Sequence, residues 1–312
     1  MFGEFIGAFE AVLVMVLLIL TGFFLTKFQK IDPKVSKFIS WTVVNITLPC
    51  YMLHNVTTSF EPAEIWHIPQ YIALPLVSVL IGYVLGWGIV KAFRIDSKYA
   101  GSMIVMTAQN NTIFMGLPVN LALFGAASVP YVLYYYMANT ILFWTLGVYT
   151  ISGGRKGDGS GKSLLARIFS PPLMGLIVGL AFLLANISVP KFLLDTCEHI
   201  GAMTTPLSMM FIGYVLCSSG LSNIRANKNM VLGLVCRFAV GPLVAVILFS
   251  LAPFPPLMKN VFIVQAFMPV MTNQAIIAKE YGADSEFPAV MVSISTIISL
   301  ILLPLIRVAL GA

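Results

Sequence analysis

Apolar residues run through this chain in long stretches separated by short polar turns. Ten stretches can be delimited, at roughly residues 3–26, 36–56, 68–91, 99–124, 129–152, 171–186, 202–219, 230–251, 259–280 and 288–311. Most approach the ~20 apolar residues that a helix needs to cross a bilayer. The sixth and seventh are shorter, and an amphipathic piece precedes each, at 162–169 and 190–200. Ser170 before Pro171 and Pro172 predicts a capped start for the sixth helix. The first stretch lacks a basic leader and is too long for a signal-peptide core, so it is expected to be a membrane helix. The pattern predicts an all-α polytopic membrane protein.

Two stretches are interrupted at their centres. The fourth carries Gln109-Asn110-Asn111-Thr112 and then Gly116 and Pro118. The ninth carries Gln265, Pro269, Thr272, Asn273 and Gln274. A proline lacks an N–H and its ring clashes with the carbonyl four residues back. Pro118 is therefore expected to free the Phe114 carbonyl, and Pro269 that of Gln265. In lipid such a carbonyl must find a partner, because leaving it bare costs several kcal/mol. One reading is a pair of broken helices enclosing a binding site. The other is two independent kinks whose amides hydrogen-bond neighbouring helices. The second stretch repeats the theme with Asn45 and Pro49, which are expected to face inward or to bond another helix.

Composition changes the picture only by confirming the class. Of 312 residues 59% are hydrophobic and 10% charged, against about 25% charged in soluble domains. The net charge of +6 then reports orientation and not a nucleic-acid partner. Fourteen of the 18 Lys and Arg fall in loops after odd-numbered stretches; Lys191, Lys259 and Arg307 lie on the other side. Basic loops stay cytoplasmic, so both termini are expected outside the cytoplasmic (inner) membrane. Five helices on each side of a linker make two repeats of opposite orientation, 1–152 and 163–312, joined by 153–162. Breakers recur in order: Pro49 with Pro206, Pro75 with Pro242, Pro118 with Pro269.

Few groups in the spans could carry chemistry. Arg237 is the basic residue deep in a span, where a charge is costly and usually functional. It could counter a substrate carboxylate, hold freed carbonyls, or snorkel toward the side of Lys228. Glu10, near the outer end of the first helix, is a candidate for a coupling proton or a solvated interfacial acid. Gln265 is a second candidate for ion coupling, alongside freed carbonyls that could ligate sodium. No carboxylate lies near either break. Two half-helix N-termini approaching one point would then favour an anion. Gly157 to Ser163 fails the phosphate-loop pattern because Lys156 stands where glycine is required. Cys50, Cys197, Cys217 and Cys236 show no metal or disulfide spacing, and His54, His67 and His199 are scattered. No nucleophile–base pair or metal set is offered, so an enzyme is not expected and no cofactor is implied beyond a coupling Na⁺ or H⁺.

Asn111-Thr112-Ile113-Phe114-Met115-Gly116-Leu117-Pro118 resembles the helix-4 crossover of the auxin efflux carrier (PIN-like) family. Val264 to Pro269, followed by Ala278-Lys279-Glu280-Tyr281-Gly282, is similar to its helix-9 counterpart. Leu48-Pro49, Pro171-Pro172-Leu173, Pro206-Leu207-Ser208 and Arg237 with Pro242 fit the family too, and the short loop at 153–162 points to a prokaryotic member. The resemblance implies ten helices in two inverted five-helix repeats with crossed helices 4 and 9. Helices 1, 2, 6 and 7 would form a scaffold that pairs into a homodimer, and helices 3–5 and 8–10 a transport domain moving as an elevator. It also implies that Asn111 meets a substrate carboxylate. Gln274 departs from the family by replacing a second proline. Asn111, Asn110, Thr112, Pro118, Pro269, Thr272, Asn273, Gln274, Asn45, Pro49 and Arg237 are the expected substrate-binding set. The expected function is secondary transport of a small organic anion, a mono- or dicarboxylate. The alternatives are a sodium-coupled symporter of the bile-acid type and a carboxylate sensor that does not transport.

Overall fold

The computed structural model describes residues 2–59, 67–153, 171–218 and 227–310. Most of the expected linker at 153–162, the piece at 162–169 and Ser170 fall outside them. The side chains up to residue 12 also fall outside, and Glu10 with them. All regular structure among the described residues is helical. Ile68–Ala92, Lys191–Ser218, Lys228–Leu251 and Glu286–Ile306 are long and apolar enough to cross a membrane; Leu13–Lys27 and Pro171–Leu184 are apolar but shorter.

The seventh stretch gains its length from the amphipathic piece before it. The amphipathic piece at 190–200 is not separate but runs on as Lys191–Ala202 into Thr204–Ser218. Pro206 falls in the first turn of the second segment, where a missing N–H costs little.

Three prolines inside the spans follow widened turns, while Pro304, like Pro75, lies within a continuous helix. A π-helical turn precedes Pro49 (Val43–Thr47), Pro118 (Thr112–Gly116) and Pro242 (Cys236–Val240). The Leu48 N–H reaches back to the Val43 carbonyl, and the Gly241 N–H to that of Cys236. One extra residue in the turn shifts the carbonyl that the proline ring would otherwise strike. Pro75 instead stays within the continuous helix Ile68–Ala92.

One apolar cluster runs through most of the helices, with two sets of close neighbours within it. Phe2–Lys27 lies along Thr204–Ser218, and their backbones meet at two glycines. A Cβ on Gly22 would stand 2.6 Å from Met210 Cα, and one on Gly213 2.6 Å from the Phe23 nitrogen. Small residues permit such close approach where lipid supplies no hydrophobic drive. Leu48–Ser59 lies against Pro171–Leu184 and Lys191–Ala202, and the hydroxyls of Thr47 and Thr204 pair at 2.9 Å. The first, second, sixth and seventh stretches thus make up one set, whose Phe2–Lys27 also packs on Leu117–Phe124 and Glu286–Leu310. In the other, Ile68–Ala92 packs on Ser97–Ala108, Val129–Leu142 and Gly241–Leu251. Tyr135, Phe249 and Phe262 fill its interior with rings 5.1–6.3 Å apart.

Candidate substrate site at the crossing of two broken helices

The fourth stretch breaks between Ser97–Ala108 and Thr112–Gly116. Gln109 is extended (φ −104°, ψ 146°), and Asn111 has left the helix (φ −83°, ψ 73°). This corrects the expectation that Pro118 breaks the helix. Pro118 stands at the start of Leu117–Phe124, where the π turn before it has already made room. The ninth stretch breaks at 267–272, between Pro256–Ala266 and Asn273–Glu280, around Pro269 as expected.

The two breaks cross in contact. The Asn111 N–H donates to the Pro269 carbonyl at 2.9 Å. Asn110 Nδ2 donates to the Gln265 carbonyl at 2.6 Å, the carbonyl Pro269 was expected to free, and to the Tyr135 hydroxyl at 3.1 Å. Asn139 donates to the Asn110 carbonyl at 3.1 Å. Ser299 donates to the Phe267 carbonyl at 3.2 Å, and Val270 N–H to Ser295 Oγ at 3.0 Å. Arg237, 1% exposed, ties the breaks together. It donates to the carbonyls of Met106 (3.1 Å) and Gln109 (2.8 Å) on one helix and of Ala266 on the other. Buried backbone groups must be paired, and this network pairs them.

Beside the crossing lies a cavity of ≈ 100 Å³, several times the ~10–15 Å³ that admits a water. Asn111, Thr112, Thr272, Asn273 and Thr140 give it polar walls, and Phe114, Tyr136, Trp144, Val44 and Leu48 apolar ones. No charged side chain is among the described lining. Two helical segments start at its edge, at Thr112 and at Asn273, and no side chain caps either. Asn111 Nδ2 donates instead to Thr272 Oγ1 across the crossing, at 2.9 Å. The Thr112 N–H donates to the Asn110 carbonyl at 3.0 Å and the Gln274 N–H to that of Met271 at 3.1 Å, and each start keeps the positive end of a helix dipole, about half a charge. Thr140 Oγ1, on a residue 4% exposed, has no hydrogen-bond partner.

A family model described as membrane transport protein matches residues 7–160 and 159–307. The two matches meet at the linker expected between the halves. The chain belongs to this family, that of the auxin efflux carriers. It is also similar over nearly its whole length to two archaeal proteins. An uncharacterized transporter of Methanothermobacter thermautotrophicus is 27% identical over 98% of this chain and 99% of its own. One of Methanocaldococcus jannaschii is 26% identical over 95% and 96%. The protein is thus a multi-pass membrane transporter and not an enzyme.

In this auxin efflux carrier family member, Asn111, Thr112, Thr272 and Asn273 come together around the cavity. Asn110, Pro269, Gln265 and Arg237 sit at the crossing and outside the cavity lining. Arg237 Nη1 and Nη2 are taken up by three backbone carbonyls, while the buried Nε has no hydrogen-bond partner. Gln274 Nε2 donates to the Ser102 carbonyl at 2.6 Å, outside the lining. Asn45 and Pro49 do not face the crossing. Asn45 donates to the Trp41 carbonyl of its own helix at 2.8 Å, and both residues line a separate groove with Pro171, Met174 and Gly175. Val44 and Leu48 take the inward face. The expectation rested on polarity, and the Trp41 carbonyl of the same helix satisfies the Asn45 amide without an inward partner. Sequence reasoning missed Tyr136, Thr140 and Trp144. Their i, i+4, i+8 spacing marks one helix face, but no break singles out the fifth stretch.

Proposed function

We propose that this transporter carries a small organic anion bearing one carboxylate, bound in the crossover cavity. One observation carries the reading: two uncapped helix starts meet a cavity whose described lining holds neither acid nor base. A helix N-terminus stabilises an anion by about 0.3–1 kcal/mol when exposed and up to about 2 when partly buried. Thr140, Thr112 and Asn273 supply polar groups at the same place, and the aromatic and aliphatic wall suits an apolar body. A second carboxylate would need its own counter-charge, and Arg237 is taken up by backbone carbonyls. That favours a monocarboxylate over a dicarboxylate.

The reading includes ten membrane helices in two inverted repeats, 1–152 and 163–312, with both termini outside the cytoplasm. The excess of Lys and Arg on one side supports that orientation. The first, second, sixth and seventh helices would serve as a scaffold, pairing two copies, against which the other six move as an elevator. The close pairing of the first and seventh helices, and the contacts of the second with the sixth and seventh, support the scaffold set. A crossover sodium site has less support. The carbonyls of Met106, Gln109, Asn110, Gln265, Ala266, Phe267 and Pro269 all accept protein hydrogen bonds.

Counterflow in proteoliposomes tests transport itself. Vesicles preloaded with a bound monocarboxylate should accumulate its labelled form without added sodium. Binding without counterflow would make the protein a sensor. Counterflow that requires sodium would restore the symporter reading.

A further inference from the structure

A second cavity adjoins the first. It is a groove of ≈ 290 Å³ lined by Ser36, Lys37, Ser40, Phe211, Tyr214 and Thr272 among others. Thr272 also lines the crossover cavity, so the two spaces lie on either side of one residue. Beside it stands an aromatic pair. Phe114 walls the cavity, Phe211 walls the groove, and their ring centroids are 5.1 Å apart. Both are 7% exposed. Tyr214 stacks on Phe211 from the groove side, at 6.5 Å and 20° between planes.

In the proposed division into scaffold and transport helices the two rings fall on opposite sides. Phe114 sits in the turn just after the fourth-helix break, and Phe211 in Thr204–Ser218. Relative sliding of the groups would therefore part them. The groove opens beside Pro33–Thr42, the helix just after the basic turn holding Lys27 and Lys30. Lys37 is the one charged residue of its described lining. Its walls are otherwise largely apolar, so neither wall neutralises that charge.

We propose that the groove is the cytoplasmic passage to the crossover cavity, that Phe211 closes it against Phe114, and that Lys37 favours anions at its mouth. A constriction walled by aromatic rings excludes water and ions by dewetting, and a charge at the mouth of a low-dielectric cleft concentrates ions of the opposite sign. The identity of the passing solute rests on the reading of the cavity as an anion site; the passage and its closure do not.

The test is thiol labelling in vesicles of known sidedness. Cys50, Cys197, Cys217 and Cys236 are first replaced by Ser or Ala, and folding is checked by size exclusion. Ser40→Cys then probes the groove and Thr140→Cys the cavity. The probes are membrane-impermeant methanethiosulfonates, one carrying a sulfonate and one a trimethylammonium. Ser40→Cys should react from the cytoplasmic face and Thr140→Cys far more slowly from that face. Adding Phe211→Ala should speed Thr140→Cys about tenfold while leaving Ser40→Cys within about twofold, as removal of a dewetted barrier requires. Phe211→Leu replaces Phe211→Ala if the latter does not fold, and Phe211→Trp should not speed labelling. Lys37→Gln should lower the sulfonate-to-ammonium rate ratio at Ser40→Cys about threefold at low salt and less at high salt. An unchanged Thr140→Cys rate in Phe211→Ala or Phe211→Leu would overturn the closure. An unchanged ratio in Lys37→Gln would overturn the charge selection, and labelling of Ser40→Cys from the outer face alone would overturn the passage. Failure of acetate, benzoate and succinate to protect Met271→Cys, which lines the same cavity and supplies none of the proposed ligand groups, would sink the anion reading and leave the closure standing.

Discussion

Replacing Arg237 separates a structural cation from a substrate-binding one. Arg237→Met removes the donors to Met106, Gln109 and Ala266 carbonyls and leaves all three buried. Each hydrogen bond from a charged donor contributes about 1.5–3 kcal/mol. Part of that is offset because a guanidinium no longer has to be kept out of water. Removing one partner from a buried ionic network typically costs about 3–5 kcal/mol, and a loss of that order is expected. Arg237→Lys should fall between, since a lysine presents its donors from one point and cannot span carbonyls on two helices. The assay is the temperature at which purified protein loses its monodisperse peak, run beside carboxylate binding at low temperature. The expected result is a large drop for Met, a smaller one for Lys, and near wild-type affinity in whatever protein stays folded. An Arg237→Met variant as stable as wild type that no longer binds carboxylate would refute the reasoning.

Close contacts set three further outcomes. Gly22→Ala and Gly213→Ala should fail to fold or lose most of their stability, because each Cβ would press on the facing backbone. Gly88→Ala, with nothing within 4 Å, should be neutral or stabilising by about 0.5–1 kcal/mol; equal thermal midpoints for all three would discard the packing described. Gly116→Ala would set its Cβ 2.8 Å from Gln265 Cδ and Nε2, so it should cost about 1–3 kcal/mol as overpacking does, measurable in the same melting assay. Thr140→Val keeps the shape and removes the unpartnered hydroxyl. It should leave stability unchanged or raise it, yet weaken carboxylate binding about tenfold or more, the equivalent of one hydrogen bond to a charge.

The crossing was legible in the sequence only in outline. Gln265 matches in part: Pro269 removes its regular partner, and its carbonyl accepts instead from the Met268 N–H at 3.1 Å and from Asn110 at 2.6 Å. Pro118 shows where the rule stops. A proline states that the regular ladder cannot pass through it, but the chain can break or can widen one turn, and tertiary packing chooses. Here Asn120 holds the Gly116 carbonyl at 2.7 Å and Gln265 packs on Gly116, so the turn widens and the break moves up to Gln109–Asn111. Asn45 fails for another reason: its amide finds the Trp41 carbonyl within its own helix and needs no partner at the crossing. Arg237 stood out as a buried charge, but its partners are carbonyls about 130 residues away in sequence, which no local pattern indicates. Asn139, Ser295 and Ser299 support the breaks from helices that carry no break of their own. Thr140 was invisible for the same reason, because an unpartnered hydroxyl is a property of the packed fold.

The central claim is that the crossover cavity binds one carboxylate through Asn111 and its neighbours without a cationic side chain. Calorimetric titration of the purified transporter with matched mono- and dicarboxylates, repeated on Asn111→Ala, tests it most directly. The account predicts that a monocarboxylate binds without sodium and that Asn111→Ala weakens it about tenfold or more. Monocarboxylate binding that Asn111→Ala leaves at wild-type strength, or tight binding of dicarboxylates alone, would contradict it.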